Sequence, residues 1–116
     1  MLNGPALDRL LQRFAMAARN HHEALEAMDA ERAEQHARMV AALYGSIMAA
    51  GPLGKERFNS LLDHPEPVVA AMTAVYLIRE DTARSLEVLQ RVAAEPGLLG
   101  FRASAAIERW QNGEWD

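Results

Sequence analysis

The segment LLDHPEPVVAAMTAVYLI, residues 61–78, decides the fold that we predict for this chain. Asp63 and His64 are candidate caps, since they precede the helix at positions where a side chain can accept a hydrogen bond from a free amide. Pro65 and Pro67 follow, where the first turn of a helix needs no amide hydrogen. The segment therefore predicts a helix that runs to residue 78.

This predicted helix has almost no polar surface. Between residues 68 and 78 only Thr73 and Tyr76 carry a polar side-chain atom. A helix without a charged face is usually buried on all sides. We therefore expect other helices to surround it.

A similar pattern recurs 32 residues later. The shift aligns Val69, Ala71, Ala74, Val75 and Ile78 with Phe101, Ala103, Ala106, Ile107 and Trp110. A shorter apolar helix is predicted before each copy, at residues 53–62 and 82–94. Two-helix units that recur every ~30 to 45 residues are typical of alpha-solenoids of the HEAT type.

The predicted fold is therefore all-α, with five or six helices in antiparallel pairs that form a short HEAT-like alpha-solenoid. The repeat-like units span about residues 53–80 and 82–113. A chain of 116 residues fits one domain, so we expect residues 1–116 to form a single helical-repeat domain.

The N-terminal half is predicted to contain two amphipathic helices, the first beginning near Pro5. Residues 20–29 fit either a short helix of their own or the beginning of one long helix that reaches Ala50. Since Asp29 can cap a new helix, we favour a break at that residue.

Composition excludes several classes of protein. The absence of cysteine excludes disulfides, thiolate metal sites and cysteine nucleophiles. No apolar run approaches the ~20 residues that span a bilayer, and the N-terminus lacks the apolar core of a signal peptide, so we expect a cytoplasmic protein without a membrane partner. Twelve basic and sixteen acidic residues give a net charge of -4 and no basic stripe, which argues against a nucleic-acid partner.

The sequence contains no recognisable catalytic or metal motif. His21 and His22 are adjacent, so on a helix they diverge by ~100° and cannot share a metal as residues four apart do. We expect surface and capping roles for the histidines and no metal site. No serine lies in a Gly-x-Ser-x-Gly elbow and no phosphate-binding loop occurs. These observations predict a protein that is not an enzyme and uses no cofactor.

An acidic stretch follows the first helix and is the best candidate for a binding surface. Its acidic residues are Glu23, Glu26, Asp29, Glu31 and Glu34, interrupted by one arginine. One interpretation is a solubilising face. The other is an electrostatic docking surface for a basic protein, with fast and salt-sensitive association.

The two tryptophans differ in their predicted roles. Trp110 lies on the apolar face of the last helix and is expected in the core. Trp115 follows the Gly113 helix stop. It either folds back onto the helices or serves as an exposed anchor for a partner, because tryptophan is enriched among binding hot spots.

The chain resembles a bacterial family of small all-helical, HEAT-like domains of unknown function. The resemblance covers most of the length and is strongest in LLDHPEPVV, residues 61–69, and in LGFRA, residues 99–103, with Ile107, Trp110 and Gly113 completing the pattern. Residues 14–24 are also similar.

The chain departs from that family at three places. Ala70 stands where the family usually has arginine, Thr73 stands where alanine is expected, and an asparagine is replaced within residues 34–36. The resemblance carries over no catalytic residue. It implies the fold and suggests that some members are immunity proteins.

The leading functional prediction is a non-catalytic protein-binding domain, in one version an immunity or adaptor protein that masks a basic partner such as a toxin. One alternative is a domain that holds a small ligand or metal between helices, with candidate residues His22, His36, Tyr44 and Tyr76. Another is a structural homodimer, whose interface is formed by Met16, Met39 and Leu43.

Overall fold

A computed structural model describes residues 3–115 of the chain. Its helices are α1 (Gly4–Glu26), α2 (Ala30–Met48), α3 (Pro52–Ser60), α4 (Pro67–Leu77), α5 (Thr82–Ala93) and α6 (Gly97–Gln111). A 3₁₀ turn, Leu61–Asp63, follows α3, and the described part of the chain contains no strand. The predicted all-α class is confirmed.

Local side chains explain where several helices begin. Asn3, Asp29 and Asp81 precede α1, α2 and α5, and each accepts a hydrogen bond from the amide three residues later, at 2.8, 3.1 and 3.4 Å. The predicted break near Asp29 is confirmed. Both alternatives for residues 20–29 are wrong, because residues 20–26 form the last part of α1. The cap predicted at Asp63 is wrong, because its carboxylate faces the Arg84 guanidinium at 3.3 Å.

The chain divides into two compact units, Met1–Leu61 and Leu62–Asp116. In the first unit α1 and α2 form a helical hairpin, and α3 packs against both of them. The Phe58 ring of α3 is fully buried, with its centroid 5.0 Å from that of Phe14 and 5.1 Å from that of Tyr44. Gly54 permits this packing, because a Cβ there would clash with the Ile47 carbonyl oxygen.

In the second unit α5 packs against both α4 and α6. Its core contains Val69 and Leu77 of α4 with Leu89 and Val92 of α5. Gly100 lets the first turn of α6 lie directly against the connection that follows α5, since a Cβ there would clash with the Glu95 carbonyl oxygen. This close approach therefore depends on a missing side chain.

The expectation that α4 is surrounded on all sides is wrong. Residues on one side are buried, but Val68, Ala71, Met72 and Val75 each keep part of their surface exposed. The physical reason is that this unit supplies only α5 and α6 to cover α4, and these helices pack on one of its sides. The uncharged sequence of α4 therefore leaves an apolar strip accessible.

The positions equated by the 32-residue shift are not equally buried. Val69 has no exposed surface, whereas the Phe101 side chain is 71% exposed. Moreover, α3 and α4, which the first predicted repeat-like unit pairs, lie in different compact units. The HEAT-like solenoid therefore stays a prediction. None of the described helices is long and apolar enough to cross a membrane.

Candidate functional site

The turn between α1 and α2 exposes a methionine in a strained conformation. The Met28 amide donates to the Leu25 carbonyl at 3.0 Å and the Asp29 amide to the Ala24 carbonyl at 2.9 Å, the pattern of a Schellman helix end. This motif requires one residue in the left-handed backbone conformation, usually glycine, and Met28 adopts that conformation with φ 57°. Its side chain is 91% exposed.

The predicted acidic residues surround this turn in the sequence and lie at the same end of the hairpin. Glu23 and Glu26 belong to the last turns of α1, Asp29 caps α2, and Glu31 and Glu34 belong to its first turns. Residues 23–34 contain five acidic and one basic residue, and the rest of the chain contains eleven of each. The whole negative excess of the protein therefore lies in what we call the acidic turn, residues 23–34.

Neighbouring cations neutralise part of this charge. Carboxylate oxygens of Asp29 and Glu34 lie 3.9 and 2.8 Å from the guanidinium groups of Arg32 and Arg38. Exposed ion pairs of this kind contribute only about 0.2–1 kcal/mol each, so a partner can replace them at low cost. Within residues 3–115, Glu23 and Glu31 form no ion pair.

The expected surface role of His22 is wrong. His22 is only 7% exposed, because it follows Phe14 and Ala18 at intervals of four residues on the buried face of α1. Its Nε2 lies 3.5 Å from a carboxylate oxygen of Glu26. The cap predicted at His64 is also wrong: its Nδ1 accepts a hydrogen bond from the Glu66 amide at 3.0 Å, but Glu66 precedes α4, and no side chain caps that helix. Within residues 3–115 no cluster of three His, Asp or Glu side chains is placed to hold a metal ion.

A second candidate site is an apolar groove of about 310 Å³ in the second unit, which we call the α4–α6 groove. Its apolar lining includes Val68, Met72, Val75, Leu99, Phe101 and Trp115. The charged side chains in the lining are Arg102 and Arg109, and none of the described lining residues is Asp or Glu. The groove thus combines an apolar surface with positive charge.

Trp115 folds back onto the helices, which is one of the two predicted alternatives. Its ring centroid lies 6.2 Å from that of Trp110, with an edge-on angle of 75°. The Arg109 guanidinium lies 5.5 Å from the Trp115 ring centroid, and Arg79 donates a hydrogen bond of 2.9 Å to the Trp115 carbonyl. Trp110 is half-buried under this contact and is not the core residue we expected.

The environment of Arg102 makes its positive charge costly. Burial lowers the pKa of the Arg102 guanidinium from its ordinary value, because desolvation disfavours the charged form. Arginine nevertheless remains protonated at neutral pH. A partly desolvated cation gains more from a nearby anion than an exposed one does.

The residues proposed for a homodimer interface do come together. Met16, Met39 and Leu43 line a groove of about 500 Å³ between α1 and α2. Met16 and Met39 are 55% and 46% exposed, but Leu43 is a core residue with 4% exposure. Two of the three predicted residues are therefore available to a partner.

The candidate ligand residues have different surroundings. His36 lines the groove between α1 and α2, whereas the Tyr44 ring packs edge-on against Phe58. Tyr76 belongs to α4, in the other unit. Together with the buried His22, these positions do not define one described pocket.

Sequence reasoning missed four residues: Met28, Phe101, Arg102 and Arg109. A signal existed for two of them, because Arg102 and Arg109 are seven residues apart and so share one face of α6. No local signal marks the exposure of Met28, since the pattern alone did not show where α1 ends.

No protein-family model, curated protein or solved structure matches the chain.

Proposed function

We propose that the chain is a non-catalytic protein-binding domain that docks a basic protein on the acidic turn. The observation that carries this proposal is the 91% exposure of Met28 within the stretch that holds the whole negative excess of the chain. Protein interfaces commonly have an apolar centre and a polar rim, and methionine is enriched in them.

The backbone at Met28 supports the same interpretation. A non-glycine residue in the left-handed region costs about 1–2 kcal/mol. At the end of α6 the same helix-ending motif is formed by Gly113, with φ 72° and without that cost. In the free protein the exposed Met28 side chain gains no burial energy that would offset this backbone strain. A bound partner that covers the side chain supplies that energy.

Charge complementarity defines the partner. Four net negative charges within twelve residues attract a basic surface, accelerate association and make it sensitive to salt. An immunity or adaptor protein that masks a basic toxin has this chemistry. That finer identity rests on the family resemblance of the sequence, and a short HEAT-like solenoid would offer the extended surface that such binding uses.

The test compares three tagged baits at low salt. They are the wild type, the charge reversal E26K/E31K/E34K, and the control reversal E87K/E95K/E108K, which places the same added charge on exposed residues of α5, α6 and their connection. We expect the wild type and the control to retain one basic protein in fixed stoichiometry, released as salt rises. The acidic-turn variant should retain orders of magnitude less of this protein. Equal retention by all three baits would remove the acidic turn from the proposal.

A homodimer is the second candidate function, favoured by the exposed Met16 and Met39 in one groove. Sedimentation of the wild type against M16E/M39E tests it. Dissociation of a wild-type dimer by these changes would support the homodimer. A monomeric wild type at the highest soluble concentration would exclude it.

A further inference from the structure

We propose that the α4–α6 groove binds a small amphiphilic anion, an unbranched aliphatic chain that ends in a carboxylate. The site and its ligand are independent of the acidic turn and of a protein partner. The groove has a long apolar lining, two guanidinium groups and no carboxylate among its described lining residues. Each part of the ligand matches one of these features.

The apolar part of the groove matches an aliphatic chain. Its volume of about 310 Å³ lies at the lower end of the range for small-molecule sites, which is about 300–1,000 Å³. Met72 and Val75 of α4 and Phe101 of α6 line it with partly exposed apolar surface, and the Phe101 side chain is 71% exposed. An aliphatic chain seated here removes this surface from water, and each buried methylene raises affinity about fourfold.

The charged part of the groove matches a carboxylate. Arg109 forms no ion pair within residues 3–115, and its guanidinium is held over the Trp115 ring. Arg102 carries a desolvated charge in the same lining. Planar guanidinium groups bind carboxylates through two parallel hydrogen bonds, so Arg109, with the added positive charge of Arg102, selects an anion over a neutral or cationic head group.

The C-terminal segment forms one wall of the groove. Arg79 holds the Trp115 carbonyl, while Trp110 and Arg109 contact the indole ring. Two of these contacts come from α6 and one from the turn after α4, and together they fix the indole ring in the lining of the groove. Trp115 is therefore both a wall of the site and a fluorescent reporter of occupancy.

The test titrates the full chain with sodium decanoate below its micelle concentration and follows tryptophan fluorescence and calorimetric heat. Decanol and decylammonium supply the same chain with a neutral and a cationic head group, and acetate supplies the head group alone. We expect saturable 1:1 binding of decanoate, at least tenfold weaker binding of the other decyl compounds, and no detectable binding of acetate. Octanoate should bind about fifteenfold more weakly than decanoate, because it lacks two methylenes.

Variants locate the binding. R109Q and R102M should each weaken decanoate binding about tenfold or more, and A106L should abolish it by filling the groove. R84Q is the matched control, since Arg84 is an exposed arginine of the same unit that pairs with Asp63 outside the groove lining. Its affinity for decanoate should equal that of the wild type.

Three results would overturn the proposal. The first is no saturable binding of decanoate, and the second is equal affinity for decanoate, decanol and decylammonium. The third is self-association of the chain that A106L abolishes and decanoate leaves unchanged, which would assign the groove to a second copy. If A106L or R102M fails to fold, the decanoate affinities of R109Q and R84Q still test the proposal, because both arginine side chains are exposed and their replacement should not prevent folding.

Discussion

The acidic turn and the α4–α6 groove are opposite in charge and in shape. The acidic turn is a projecting helix connection with one exposed methionine among five carboxylates. The groove is a recess whose charged lining residues are both arginine. The overall charge of -4 describes neither surface. Net charge predicts solubility and long-range steering, whereas recognition depends on where the charges lie.

The two surfaces also differ in what stabilises them. The acidic turn is shaped by local bonds, namely a Schellman motif and the Asp29 cap. The groove depends on contacts between α5 and α6 and on the folded-back Trp115. Changes in packing should therefore affect the groove more than the turn.

The largest expected effect is the loss of close packing at Gly100. We expect G100A to destabilise the protein by about 3 kcal/mol, because the added Cβ clashes with backbone atoms that cannot move cheaply. Denaturation by urea measures this change. G45A is the matched control, since a Cβ at Gly45 meets no atom within 4 Å, and it should stabilise α2 by about 1 kcal/mol. Equal stability of the two variants would show that α6 does not depend on this contact.

The second effect concerns the wall of the groove. W115A removes the ring that contacts Trp110 and Arg109, so we expect decanoate affinity to fall about tenfold, equivalent to about 1.4 kcal/mol. W115F keeps an aromatic wall and should lose less than threefold. Because W115A also deletes the reporter, calorimetry is the measurement. Unchanged affinity in W115A would separate Trp115 from the site.

Sequence reasoning succeeded where the determinants are local. The start of α1 near Pro5, the Asp29 cap and the Gly113 helix end follow from side chains and backbone preferences within four residues. These residues were therefore sufficient to predict where α1 and α2 begin and where α6 ends.

Sequence reasoning failed where burial depends on tertiary packing. The uncharged α4 looked buried on all sides, and Phe101 looked like a counterpart of the buried Val69. Neither outcome follows from periodicity, because periodicity identifies an apolar face without showing which neighbour covers it. For His22 the spacing from Phe14 did contain the answer, but a polar side chain was assigned to the surface.

The third prediction separates stability from binding at the acidic turn. M28G should stabilise the protein by about 1 kcal/mol, because glycine adopts the left-handed region without steric strain. The same variant should weaken binding of the basic partner, since the exposed apolar centre is lost. Urea denaturation and partner titration measure the two effects, and M28L is the control that retains an apolar side chain. A stabilised M28G with full affinity would leave electrostatics as the whole basis of docking.

The smallest expected effect concerns a buried polar side chain in the second unit. Ser85 is fully buried in α5, and its hydroxyl has no hydrogen-bond partner within residues 3–115. Replacing an unsatisfied buried hydroxyl with a methyl group removes a desolvation cost but leaves a small void, so we expect S85A to stabilise by about 0.5 kcal/mol. S104A, at an exposed position of α6, measures the gain from helix propensity alone. If S85A is less stable than S104A in the same urea titration, the hydroxyl makes a useful bond to its own helix. A gain that exceeds the control instead shows that the second unit tolerates a polar defect in its core.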